Sequence, residues 1–282
     1  MGFSTLSKFR FYFWLAYYKL TSPFECKNSQ LKILMQEFAF LFTSLGLRKL
    51  KSDDTSNIRI DTKYGNFIIR NIDIDLNIVS PAFERLDMNE LVNHISNSLN
   101  MNHQVMFIDV GAGFGNQTVA IGNLFRSFSR NISILSFEPE PESFALLKKN
   151  IRLNSIKNAR AFPVALSDRK SIQNFFYLES MKQIVSFPTP HKIKIRTTTL
   201  DTFMKHMKKS KNTDIYMKFD IEGHEVKALK GSKRIISFYK NVTILIEDSV
   251  GIKAPELIRY LEDNGTFLMK KTSYNSFWKL HS

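Results

Sequence analysis

Hydrophobic and polar positions change rhythm several times along the chain. Residues 9–20 form a short, very aromatic run, and residues 31–47 an apolar run interrupted by Gln36, Glu37 and Ser44, the pattern of a mostly buried helix. The polar stretch 51–57 reads as a linker. Alternation begins at Ile58 and Ile60 and resumes after Tyr64-Gly65-Asn66 with Phe67, Ile68 and Ile69, which predicts a small hairpin. Residues 86–99 carry Leu91, Val92, Ile95 and Leu99 at helical spacing. From residue 105 the rhythm becomes strand, turn, helix. Apolar runs at 105–110, 132–137, 159–166, 214–219 and 242–246 predict strands, and 117–125, 141–154, 226–236 and 254–264 predict helices. Residues 266–271 and 276–280 close the chain as an antiparallel hairpin. Buried strands alternating with helices imply an α/β fold, a mostly parallel Rossmann-like sheet with helices on both faces. The expected organisation is an aromatic-rich helical N-terminal region, 1–57, and a domain over 58–282 with its cofactor-binding core at 105–282.

Ligands of such sheets sit beyond the carboxyl ends of the strands, where strand order reverses. After the first core strand stands Asp109-Val110-Gly111-Ala112-Gly113-Phe114-Gly115, whose glycines let the backbone turn tightly and approach a ligand. Gly-x-Gly also suits a dinucleotide, but that fingerprint wants Gly or Ala where Asn116 stands. Its ribose acid lies about 20 residues past the glycines, whereas Glu138 lies 27 past Gly111. Asp109 at the mouth of the loop would repel a pyrophosphate and favour the ammonium of a methionine moiety beside a sulfonium.

The second strand ends in Phe137-Glu138-Pro139, where Glu138 suits both hydroxyls of a ribose and Pro139 fixes the turn. After the third, Ala165-Leu166-Ser167-Asp168 offers an apolar edge and polar groups to an adenine. The fourth is followed by Asp220-Ile221-Glu222-Gly223-His224-Glu225, a dense set of acids around one histidine, and the fifth by Glu247-Asp248. Acids from two neighbouring strand ends are thus expected at one cavity. Plainer readings stand beside these: Glu225 as an acid favoured by a helix N-terminus, and His224 as a satisfied surface histidine.

Composition narrows the chemistry. A single cysteine, Cys26, excludes an internal disulfide framework and multi-cysteine zinc clusters. Forty Lys and Arg against 26 Asp and Glu leave a net charge of +14, which keeps nucleic acid, acidic membranes and phosphorylated sugars open as partners. The densest basic stretch, 171–212, includes Lys192, Lys194, Arg196, Lys205, Lys208, Lys209 and Lys211 and reads as an electrostatic guide for an anionic acceptor. Drift towards Lys in a chain rich in Asn, Ile and Phe accounts for the same excess. The run at 9–20 stops short of the about 20 apolar residues that span a bilayer, and no small-residue cleavage site follows. A cytoplasmic protein is expected, with peripheral membrane contact through its N-terminal region and self-association as further options.

At this point the residues resemble the FkbM-type S-adenosylmethionine-dependent methyltransferases. The matching pieces are Phe107-Ile108-Asp109-Val110-Gly111-Ala112, Phe137-Glu138-Pro139, Asn150 and Asn154, Ala165-Leu166-Ser167-Asp168, Thr199-Leu200-Asp201 and Phe219-Asp220-Ile221-Glu222-Gly223-His224-Glu225, with Tyr64-Gly65 and Glu84 upstream. The likeness runs from about residue 58 to 246; Gly113 departs from the Asn common at its place. It implies a class I methyltransferase sheet and methyl transfer to a hydroxyl, often of a sugar or a polyketide-type product. S-adenosylmethionine would be held by Asp109, Gly111, Ala112, Gly113, Glu138, Pro139, Ala165, Leu166 and Asp220.

A sugar hydroxyl needs a base, or a metal that lowers its pKa. His224 or Asp220 is the candidate base, Glu222 its orienting partner, and Asp220, Glu247 and Asp248 are candidate ligands of a divalent cation. Amino-group methylation of bases is disfavoured because Asp220-Ile221-Glu222-Gly223 is not an Asn/Asp-Pro-Pro-aromatic motif, and cytosine C5 chemistry because Cys26 lies outside the domain. Nucleic acid is therefore not the expected partner. Ribose 2′-hydroxyl methylation of RNA, a non-catalytic cofactor-binding module and a nicotinamide-dependent oxidoreductase are the alternatives. Loops after Phe175 and the first 57 residues are expected to shape the acceptor pocket.

Overall fold

The computed structural model describes residues 57–70, 72–79, 83–179, 183–185, 187–205, 210, 212–247, 254–272 and 275–280. The runs at 9–20 and 31–47, the linker up to residue 56, Cys26 and Asp248 lie outside the described residues. The described residues up to Arg85 belong to one compact unit and those from Leu86 to another.

In the first unit, β1 (Asn57–Thr62) and β2 (Gly65–Arg70) pair antiparallel around Lys63-Tyr64. Ile58, Ile60, Phe67 and Ile69 are buried, so the alternation read in the sequence is a buried face. Buried Arg70 grips Asp75 with two side-chain bonds of 2.9 and 2.8 Å, which ties the helix Asp73–Ile78 to β2. Such a two-pronged pair fixes geometry as well as charge.

The second unit begins at Leu86, one residue into the helix Arg85–Asn100. Its strands are β3 (Gln104–Val110), β4 (Ile132–Phe137), β5 (Ala159–Phe162), β6 (Ala165–Leu166), β7 (Ser171–Leu178), β8 (Gln183–Val185), β9 (His191–Thr198), β10 (Thr213–Phe219), β11 (Val242–Glu247), β12 (Thr266–Lys271) and β13 (Asn275–Leu280). Seven form a sheet in the order β12-β13-β11-β10-β3-β4-β5. β11, β10, β3, β4 and β5 run parallel, and the terminal hairpin adds β13 antiparallel to β11. Central strands buried on both faces are mostly apolar; Phe107, Ile108, Ile134, Ile215, Phe219 and Ile246 are all fully buried. The chain enters at β3, runs outward to β5, and returns to β10 on the other side of β3. Order therefore reverses between β3 and β10, and the crevice at their carboxyl ends is where a ligand fits.

Three local expectations change. The run 159–166 is two strands in two sheets, because Pro163 has no N–H to extend the ladder. The helix expected over 226–236 is a pair, Glu225–Lys230 and Lys233–Phe238, interrupted at Gly231-Ser232. A Cβ on Gly231 would stand 1.9 Å from the Ser167 carbonyl oxygen, so the break coincides with a close approach of the strand-end loop. The segment after Phe175, expected as loops, contains part of a second sheet in the order β6-β9-β7-β8.

Candidate active site

The turn after β3 folds over the end of β4: Gly111 N and Ala112 N both donate to Phe137 O, at 2.9 and 3.1 Å. Gly111 has φ +84, and a Cβ there would lie 2.0 Å from Asp220 O. Glycine is demanded at this position by the approach of the loop that follows β10. Gly113, at φ +55, differs. A Cβ there meets nothing within 4 Å, so the loop faces open space.

Glu138 anchors this loop. One carboxylate oxygen accepts from Gly113 N at 2.8 Å and the other from Glu140 N at 2.8 Å. Pro139, half-buried, leads from Glu138 towards the helix Pro141–Leu153. Asp109 is buried and accepts from Thr118 Oγ1 at 2.6 Å, and Thr118 lies 2.7 Å from Ser136 Oγ. The carboxylate is thereby tied to the helix Asn116–Leu124 as well as to the sheet. Asn150 Nδ2 donates to Phe114 O at 2.8 Å, and Asn154 Nδ2 to Asn150 O at 2.8 Å, which brace the loop from behind.

On β6, Ala165 is half-buried and Leu166 belongs to the hydrophobic core with Phe137, Phe219 and Leu229. Ser167 is fully buried, and its hydroxyl lies 3.0 Å from His224 Nε2 and 3.2 Å from Asp168 Oδ1. The opposite loop is set by Asp220 N donating to Val110 O at 3.0 Å. Lys218 Nζ meets Asp220 Oδ2 at 3.1 Å. Glu222 adopts φ +53 and Gly223 φ +90. A non-glycine residue in the left-handed region is uncommon, and such strain collects at functional loops. Glu225 accepts from Gly223 N at 2.9 Å, which closes the loop onto the first residue of the helix Glu225–Lys230.

His224 precedes the helix Glu225–Lys230, half-buried, with the Phe175 ring edge-on at 5.2 Å. Burial, with Lys227 adding and Asp168 opposing, brings its pKa down to about 4. The ring is therefore neutral at physiological pH, with lone-pair capacity a cation would lack. The shift also makes a stability prediction. A histidine depressed in the folded state favours folding above its unfolded value and loses that contribution as pH falls from about 6.5 towards 4. His224→Gln is expected to lessen the loss of stability between pH 7 and 5, read by urea unfolding at both; an unchanged difference refutes it.

Among the described residues, Asp220, Glu222 and Glu247 each place a carboxylate oxygen within 4.8 Å of the others. Lys218 neutralises part of this charge, and a divalent cation is the other species the set would take. The sequence paired Asp220 and Glu247 with Asp248; the described residue that completes the set is Glu222. The sequence did not single out Thr118 or Phe175. Thr118 is visible only as a hydroxyl on a helix following Asp109, and Phe175 only as one member of an alternating strand. Thr199-Leu200-Asp201 acts locally, at two helix starts. Asp201 caps Arg234 N and Ile235 N at 3.0 and 2.9 Å, and Thr199 Oγ1 accepts from Thr202 N at 3.0 Å.

A parallel sheet that reverses order beside a glycine turn, with acids after β4 and β10 and a terminal antiparallel hairpin, defines the class I methyltransferase architecture. Residues 109–268 match the family model described as the methyltransferase FkbM domain, more than half the chain, and the chain belongs to that family. No curated protein sequence matches it. Similar solved structures include the methyltransferase FkbM from Methylobacillus flagellatus (17% identity, 64% of this chain and 43% of that one, TM-score 0.43). Others are a SAM-dependent methyltransferase from Aquifex aeolicus (13%, 62% and 82%, TM-score 0.37) and Aeropyrum pernix fibrillarin with bound S-adenosyl-L-methionine (11%, 63% and 65%, TM-score 0.37). This chain thus spans under half the length of the Methylobacillus protein.

The cofactor of this family is S-adenosylmethionine, and the residues present fit it. Gly113 opens on free space beside Glu138, and buried carboxylates stand on both β3 and β4 ends. No helix among the described residues is long and apolar enough to cross a membrane.

Proposed function

We propose that this chain transfers a methyl group from S-adenosylmethionine to a hydroxyl of a sugar, a glycan or a related small product. The observation that carries this reading is the neutral, half-buried His224 held by Ser167 within the acid-rich loop after β10. Asp109, Gly111, Ala112, Gly113, Glu138, Pro139 and Asp220 would hold the cofactor, with Ala165 and the backbone of Leu166 along its adenine. When bound, the cofactor supplies an electrophilic methyl on a sulfonium. The work left to the protein is to position the acceptor oxygen in line and to remove its proton.

Ser167 has one hydroxyl proton. When Asp168 accepts it, the ring nitrogen facing Ser167 must carry hydrogen, and Nδ1 of His224 keeps the free lone pair. Nδ1 is then the proton acceptor, and Asp220 and Glu222 are the groups that receive and orient the other hydroxyls of the acceptor.

The test offers methyl-tritiated S-adenosylmethionine with soluble sugars, glycans and RNA. Label in an alkali-stable methyl ether of a sugar or glycan is the expected result; label confined to RNA, or in no acceptor, overturns the reading. Because the histidine route needs no metal, turnover in EDTA is expected to be undiminished. Loss of activity that magnesium restores would assign deprotonation to a cation at Asp220, Glu222 and Glu247 instead.

A further inference from the structure

Three cations of the basic stretch read in the sequence lie along one strand of the second sheet, whereas Lys208, Lys209 and Lys211 lie outside the described residues. Along β9, Lys192, Lys194 and Arg196 are exposed, whereas Ile195 and Thr197 are buried and Ile193 half-buried. Alternate strand residues share a face and stand about 6.7 Å apart, so the three cations form a stripe. The register places Phe176, Asn174 and Ile172 of β7 directly opposite them. Lys192 Nζ lies 4.9 Å from the centre of the Phe176 ring. Arg169 and Lys170, both exposed, extend the charge into the turn before β7. From 169 to 198 the sequence contains a single acid, Glu179, which meets His191 at 3.4 Å beyond the far end of the stripe.

Within this cationic face Ile172 is 69% exposed, beside Arg196. The other face of β7 carries Phe175, the residue against His224. The charge therefore does not line the wall of the candidate active site. It points away from it.

We infer that the outer face of β7 and β9 docks on a membrane surface bearing anionic lipid. Cations attract the headgroup layer, and an exposed aliphatic side chain among them gains by entering the headgroup boundary. A soluble polyanion such as RNA would meet the same cations but would leave Ile172 in water without a partner. Docking by this face leaves the Phe175 side of the sheet, and with it His224, free. The inference is independent of the acceptor and of the methyl transfer.

The test measures partition of the full chain onto vesicles of phosphatidylcholine alone and of phosphatidylcholine mixed with phosphatidylglycerol. Partition is expected on the mixed vesicles only, weakening with salt. K192Q/K194Q/R196Q is expected to lower it about 100-fold and Ile172→Ser about tenfold. K192R/K194R, which keeps the charge, is expected to bind as the parent does. Thermal midpoints equal to the parent's show that the variants fold, as expected for exposed positions. Unchanged partition of the triple variant, equal partition on neutral vesicles, or salt-sensitive binding to poly(U) without binding to vesicles would each overturn the inference.

Discussion

Gly111→Ala is expected to abolish S-adenosylmethionine binding and to destabilise the domain, whereas Gly113→Ala is expected to leave the fold largely intact. The two glycines are two residues apart in one loop, and both have positive φ. They differ in what stands over them. At Gly111 a Cβ would lie 2.0 Å from Asp220 O and 2.9 Å from Ile221 Cγ2. The obstructing atom is backbone, and Asp220 N is itself bonded to Val110 O, so the loop cannot withdraw without breaking that bond. Overpacking against backbone belongs to the mechanisms behind losses of about 4 kcal/mol or more. The displacement would also move Asp220 away from Lys218. At Gly113 the cost is the left-handed conformation alone, about 1–2 kcal/mol. Titration calorimetry with S-adenosylmethionine and thermal unfolding of both variants check the contrast. Parental affinity in Gly111→Ala would refute it.

His224→Ala is expected to lower kcat by about 100- to 10,000-fold, the range for loss of a positioned base, with cofactor affinity unchanged. The imidazole is anchored away from the glycine loop, by the Ser167 hydroxyl and the Phe175 ring. Ser167→Ala leaves the ring in place with one anchor fewer. A smaller fall in kcat is expected, together with a changed pH profile, because tautomer and basicity follow the lost hydrogen bond. With the histidine pKa near 4, the parent's kcat is expected to stay level from neutral pH down to about 5. Undiminished turnover in His224→Ala would remove this residue from the reaction and leave Asp220 as the base.

Several features of the fold were legible because their signals are local. Glycines directly after an apolar run mark a turn, Glu138-Pro139 marks a strand end, and two short apolar runs at 266–271 and 276–280 mark the closing hairpin. The second sheet was not. Its strand β9 alternates Lys192, Lys194 and Arg196 with Ile193 and Ile195, but the density of charge reads first as a basic tract. The break at Gly231 was equally silent, since glycine in a helical run is tolerated and the Ser167 carbonyl that requires it lies 64 residues earlier.

The α/β class, the glycine turn after β3 and the acids at the strand ends follow from residues adjacent in the chain. Which of those acids share a site, and what His224 touches, depend on contacts between distant segments. Asp220 and Glu222 meet Glu247 because β10 and β11 are in parallel register. His224 meets Ser167 because β6 leaves the main sheet at Pro163 and ends beside the loop after β10. The net charge of +14 says only that cations are in excess. Pairing β9 with β7 put three of them on one face and Phe175 on the other, since side chains opposite across antiparallel strands must share a side.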